Sequence, residues 1–123
     1  MANKKSILVA EDESSITELL KIILNEKYNL SFVEDGESVL KEVSRSQPDL
    51  LLLDVMMPNM NGYEVCKALR KDKKTKDIKI AILSAKGQER DILTGLQSGA
   101  DFYITKPFDP NDLQKKLKEI MGD

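Results

Sequence analysis

Hydrophobic residues in this chain switch between two spacings, and the switch repeats along its length. Short β-branched or leucine-rich runs occur as SILVA at 6–10, LSFV at 30–33, LLLLD at 50–54, KIAIL at 79–83 and FYIT at 102–105. Each has the length and composition of a strand. Between them the apolar residues fall at helical spacing, as with Ile16, Leu19, Leu20 and Ile23 at i, i+3, i+4 and i+7. Ser15 and Glu18 stand at the spacing of a capping box for that helix. The helical pattern returns with Val39, Leu40 and Val43 after Gly36, and with Val65 and Leu69 after Asn61 and Gly62. It returns again with Ile92, Leu93 and Leu96 before Gly99, a plausible terminator. The last helix starts at Asp109 as N-cap with Pro110 in the first helical position, and carries Leu113, Leu117 and Ile120 on one stripe. Strict β-α alternation requires a parallel sheet with right-handed crossovers and helices on both faces. The expectation is a doubly wound α/β domain, flavodoxin-like, with five strands in the order 2-1-3-4-5 and five flanking helices.

Size and composition narrow the function. The 123 residues suit one domain, taken as 1–123, and a formal net charge of −2 with mixed signs suggests neither a nucleic-acid-binding field nor a membrane-seeking one. The basic stretch RKDKKTKD at 70–77 reads as a solvated loop. One cysteine, Cys66, excludes an intrachain disulfide, and a chain without histidine has no Ser-His catalysis. No apolar segment approaches membrane-spanning length, so a cytoplasmic protein is expected.

In a doubly wound sheet the C-terminal strand ends share one edge, and ligands bind there. The residues at those ends are Glu11 and Asp12, Asp54, Ser84 and Lys106. The strand order brings these ends into one crevice. Carboxylates packed together repel: two unit charges ~4 Å apart interact by about 4 kcal/mol at an effective dielectric near 20. Lys106 offsets part of that repulsion. An oxygen-only donor set with no histidine suits a hard cation, and Mg²⁺ takes a few carboxylates together with water and phosphate oxygens. A Mg²⁺ site is expected. Asp54 explains itself in this setting, because a rigid leucine strand would hold its carboxylate at the crevice mouth.

The segments ILVAEDE, LLLLDVMMPNMNGYEV, IAILSAK and GADFYITKPF, in this order, resemble the receiver domain of two-component response regulators over essentially the whole chain. The resemblance implies that Asp54 accepts a phosphoryl group from a sensor histidine kinase, a phosphotransfer protein or a small acyl phosphate. It implies that Asp12 and Asp54 ligate Mg²⁺ directly, with the backbone carbonyl of Met56 as a third ligand and Glu11 acting through water. Lys106 and Ser84 would contact phosphoryl oxygens, and Tyr103 would swing inward with Ser84 to remodel the face of helix 4, strand 5 and helix 5 for a downstream partner. A cis bond between Lys106 and Pro107 is also implied. Such a domain is a switch that assists its own phosphorylation and dephosphorylation, and no direct contact with nucleic acid is expected of it.

Departures from the family pattern are visible. The acidic pair is Glu-Asp where Asp-Asp is also frequent. Phe102 replaces an aspartate often found in DNA-binding members, which leaves Asp101 and Lys116 to resemble parts of their charged dimer surface; both a monomer and a phosphorylation-dependent dimer stay open. Met56 and Lys86 are expected to overhang the phosphoryl group and tune its lifetime. Two other readings share features of the site. An aspartyl-phosphate phosphohydrolase would want an acid two residues past the nucleophile, where Met56 stands, and a flavin module would want glycine or hydroxyl residues where EDES stands.

Overall fold

A computed structural model describes residues 4–122. Its elements alternate along the chain as β1 (Ser6–Ala10), α1 (Ser14–Leu24), β2 (Asn29–Val33), α2 (Gly36–Arg45) and β3 (Leu50–Leu53). They continue as α3 (Gly62–Lys71), β4 (Lys79–Ser84), α4 (Glu89–Ser98), β5 (Phe102–Thr105) and α5 (Pro110–Met121). The strands form one parallel sheet in the order β2-β1-β3-β4-β5, as expected.

Alternation along the central strands divides the core. Ile7, Val9, Leu50 and Leu52 point to the layer of α1 and α5, where they meet Leu20, Leu24, Leu113, Leu117 and Ile120. Leu8, Leu51 and Leu53 point to the other face and meet Val39, Val43, Val65, Cys66 and Leu69 from α2 and α3. Burial on both faces is what a four-leucine strand demands. Cys66 is a packing residue, since burial pushes its thiol up to about 12, far from the reactive thiolate.

Helix termini follow the expected chemistry in most places. Asp109 caps α5 by accepting from the amides of Asn111 and Asp112, and Gly99 ends α4 with φ 115°. Asn61 and Glu64 exchange side-chain bonds with each other's amides at the start of α3. The expected Ser15–Glu18 capping box is absent. α1 starts earlier, with Glu13 as N-cap, so Ser15 is already inside the first turn and its hydroxyl donates to the Glu13 carboxylate at 3.2 Å. The stretch 70–77 closes α3 and turns toward β4 with most of its side chains exposed, although Thr75 is buried on the Leu69 carbonyl.

Candidate functional site

The site is set by one extra rung on three of the four strand ladders. Past the end of β1 the amide of Glu11 donates to the Val33 carbonyl at 3.0 Å. Past β3 the amide of Asp54 donates to the Ala10 carbonyl at 3.0 Å, and past β5 the amide of Lys106 donates to the Ser84 carbonyl at 2.8 Å. Glu11, Asp54 and Lys106 therefore leave the sheet at positions fixed by a neighbouring strand. Gly62 braces the acceptor side. A Cβ there would lie 2.6 Å from the Asp54 carbonyl oxygen and 2.9 Å from the Val55 Cα, a gap only glycine fits.

The predicted carboxylates converge. Glu11, Asp12 and Asp54 each offer an oxygen, and these oxygens lie within 4.8 Å of one another. Glu11 and Asp54 are buried, at 2% and 6% exposure, while Asp12 is open to solvent. Lys106 Nζ lies 2.5 Å from Glu11 Oε1 and 3.2 Å from Asp54 Oδ2. The other oxygens bond to the backbone: Glu13 N donates to Glu11 Oε2 at 3.2 Å and Met56 N to Asp54 Oδ1 at 3.1 Å. An open cleft of about 450 Å³ reaches the site between Asp12, Glu13, Asp54, Met56, Ala85 and Lys106.

Burial raises the Glu11 carboxyl to about 7; hydrogen bonding to Lys106 pulls against this, and Asp54 adds to it. Burial alone would lower the Lys106 ammonium, but its bond to Glu11 and the charges of Asp54 and Glu11 outweigh that and raise it. The lysine faces two carboxylates and the glutamate one ammonium. Lys106 thus keeps its proton, and Glu11 is the group whose charge is poised near neutrality.

Other predicted residues take less obvious positions. Ser84 is the last residue of β4 and is fully buried, with its hydroxyl accepting from the Lys86 amide at 3.1 Å. Ala85, the next residue, is the one that lines the cleft. Met56 is 60% exposed at the cleft mouth. Tyr103 is half-buried, with its hydroxyl donating to the Lys86 carbonyl at 2.5 Å. The Lys106–Pro107 peptide is cis. Sequence reasoning passed over Tyr63, whose hydroxyl lies 3.5 Å from that of Tyr103; its place in the helical pattern marks it only as an ordinary α3 side chain.

A family model of the response regulator receiver domain matches residues 7–118. The chain belongs to the response regulator receiver family. The receiver domain is 44% identical over 118 residues to the alkaline phosphatase synthesis transcriptional regulatory protein PhoP of Bacillus subtilis, covering 95% of this chain and 48% of that protein. It spans about half the length of the curated relatives it matches. Among solved structures, the signal receiver domain of a histidine kinase from Syntrophus aciditrophicus superposes with a TM-score of 0.88 at 34% identity, covering 96% of this chain and 90% of that one. The receiver domain of the Pseudomonas aeruginosa sensor histidine kinase PA1611, solved with magnesium in its active-site cleft, superposes with a TM-score of 0.90 at 26% identity, over 98% of this chain and 100% of that one. The strand order and the acidic cluster of this receiver domain accord with that family. It is thus a signalling module of a two-component system. Among the described residues no helix is long and apolar enough to cross a membrane.

Proposed function

We propose that residues 1–123 act as one phosphoacceptor unit in the cytoplasm, taking a phosphoryl group on Asp54. The observation that carries this reading is the Asp54 carboxylate itself, nearly buried yet facing an open cleft, 3.2 Å from Lys106 and grouped with Glu11 and Asp12. A donor phosphohistidine on a sensor kinase or phosphotransfer protein, or a small acyl phosphate, presents its phosphorus to an Asp54 oxygen. The new P–O bond forms as the P–N or P–O bond to the donor breaks, and the leaving group takes the bonding electrons. No base is required, because Asp54 attacks as a carboxylate. Lys106, held by Glu11, supplies positive charge to the transferring oxygens.

The donor set fits Mg²⁺: three carboxylates, no nitrogen or sulfur, and an open side toward solvent. Asp12 and Asp54 would hold it directly with the Met56 carbonyl, and Glu11 through water. Bound there, the ion would neutralise phosphoryl charge and align donor with acceptor. Ser84 must turn toward the phosphoryl group to reach it, and Tyr103, whose ring already packs beside Gly95 of α4, moves further inward with it; this remodels the α4, β5 and α5 face that a downstream partner reads. The domain itself touches no nucleic acid in this scheme.

Incubation with acetyl phosphate and Mg²⁺ followed by intact mass tests the proposal. One phosphoryl group should be added, lost in Asp54→Asn and prevented by a chelator. Label at another residue, or none in the wild type, defeats it.

A further inference from the structure

The segment that begins at the acceptor, residues 54–62, is gripped by two helices. On the α3 side Gly62 lies against the Asp54 carbonyl, and its amide donates to the Val55 carbonyl at 3.0 Å, which ties the two ends of the loop together. On the α2 side the contact is equally tight. A Cβ on Gly36 would lie 2.6 Å from the Met60 Cβ, 2.7 Å from the Met60 carbonyl oxygen and 3.0 Å from Val65 Cγ2. Gly36 is buried at the first position of α2, where Asp35 caps the helix by accepting from the Ser38 amide at 2.8 Å. Glycine adds no helix propensity to that turn, and the φ of Gly36 is not positive. The missing side chain therefore serves close approach, not backbone freedom.

The gripped loop has little freedom of its own. Val55 is buried, and Met57 and Met60 pack on the core layer shared by α2 and α3. Asn59 stands in the left-handed region at φ 71°, and across it the Met60 amide donates back to the Pro58 carbonyl at 2.8 Å. A turn of this kind keeps its shape only while its surroundings press on it. Within the loop the Met56 amide donates to Asp54 Oδ1 at 3.1 Å, which leaves Oδ2 facing Lys106 at 3.2 Å. The orientation of the acceptor carboxylate thus depends on where the loop puts Met56.

We propose that Gly36 is a positioning residue for phosphoryl uptake: the start of α2, resting on Met60, holds the loop so that the Met56 amide fixes the Asp54 carboxylate with one oxygen toward Lys106. Gly36 does not line the cleft and acts only through Met60. The inference rests on the reading of Asp54 as phosphoacceptor. A reacting group misplaced by ~1 Å loses about a hundredfold in rate, and a Cβ at 2.6 Å forces Met60 to give way.

Gly36→Ala tests this against Gly99→Ala. The second substitution makes an equally close contact, 2.6 Å from Arg70 Cγ, and adds strain at φ 115°, but does so at the end of α4 away from the acceptor. Two readouts are taken on the full chain at a temperature where each variant is folded: amide hydrogen exchange with a chelator present, and phosphoryl uptake from acetyl phosphate and Mg²⁺ read by intact mass. Gly36→Ala should speed exchange of the Met56 and Gly62 amides about fivefold, the effect of weakening one hydrogen bond. It should slow uptake about tenfold. Gly99→Ala should leave both unchanged. Where Gly36→Ala does not fold, Met60→Gly opens the same contact from the loop side and carries the same expectations. Unchanged exchange at Met56 overturns the proposal, and so does uptake slowed no more than in Gly99→Ala. No uptake by wild type would refute the phosphoacceptor reading, and exchange at Met56 would still decide whether Gly36 holds the loop.

Discussion

α3 and α4 are both ten-residue helices packed on the same side of the sheet, yet they are fixed by different means. α3 buries Val65, Cys66 and Leu69 and presses its first glycine on the acceptor backbone, while the starts of the two helices are alike in that the Asn61 amide donates to the Glu64 carboxylate and the Gln88 amide to the Asp91 carboxylate, both at 3.2 Å. α4 buries only Gly95 and Ser98 among its residues and leaves Leu93 and Leu96 at 55% and 44% exposure. Hydrophobic burial holds the first, and a few hydrogen bonds hold the second. The difference teaches where a switch can live. A helix secured by apolar packing costs several kcal/mol to displace, while one secured by ordinary hydrogen bonds of about 1 kcal/mol each can move on a modest signal.

The largest effect expected from this contrast is on stability. Leu69→Ala should cost about 2–5 kcal/mol in denaturant unfolding, because it empties a packed site, whereas Leu93→Ala should stay within about 0.5 kcal/mol. Comparable losses in the two variants would break the comparison.

The rim that α3 supports should also respond to pH. Glu11 has its pKa raised from 4.5 to about 7 in the folded chain, so below 4.5 both folded and unfolded forms hold the proton and its contribution is fully present. Between those values the unfolded chain releases its proton while the native one retains it, and stability is lost as pH rises. The loss reaches at most roughly 3 kcal/mol. Urea midpoints measured with a chelator should therefore fall from Glu11 across this window, and Glu11→Gln should remove that part of the slope. Saturating Mg²⁺ should flatten it as well, since the ion favours the ionised carboxylate. A slope that survives in Glu11→Gln would assign the poised charge elsewhere.

The smallest expected effect lies at the cleft mouth. Met56→Asn replaces an exposed apolar side chain in the cleft that Asp54 also lines with one that can hydrogen-bond water, and should change the decay of the phosphorylated form by about fivefold, the worth of one hydrogen bond. Following phosphoryl loss by mass over time checks this, and an unchanged decay would show that Met56 does not govern water access.

Much of the rim was legible before any coordinates. Glu11, Asp12, Asp54 and Lys106 stand directly after apolar runs, and in a parallel sheet that position alone brings them to one edge. Helix caps were less reliable. Asp109, which Pro110 follows in the first helical position, caps α5 as its residue type and place demand, but Ser15 and Glu18 match a capping pattern that α1 does not use, because the helix starts at Ser14. The leucines of α4 have helical spacing like those of α3, and periodicity cannot tell a stripe that meets the core from one that meets solvent. Ser84 looked like a strand-end hydroxyl facing the cleft; it is instead turned under the loop on the Lys86 amide.

The sequence by itself determined the alternation of strands and helices, the depth of the central strand, and the chemistry of the groups at its end, since all three follow from local spacing and residue type. Tertiary structure alone decided how closely Lys106 approaches Glu11, that Gly62 touches the Asp54 backbone, and that two phenols from α3 and β5 meet at the start of α4. Those contacts join residues distant along the chain, and their distances depend on how the strand ladders align and how the helices pack, which no local pattern encodes.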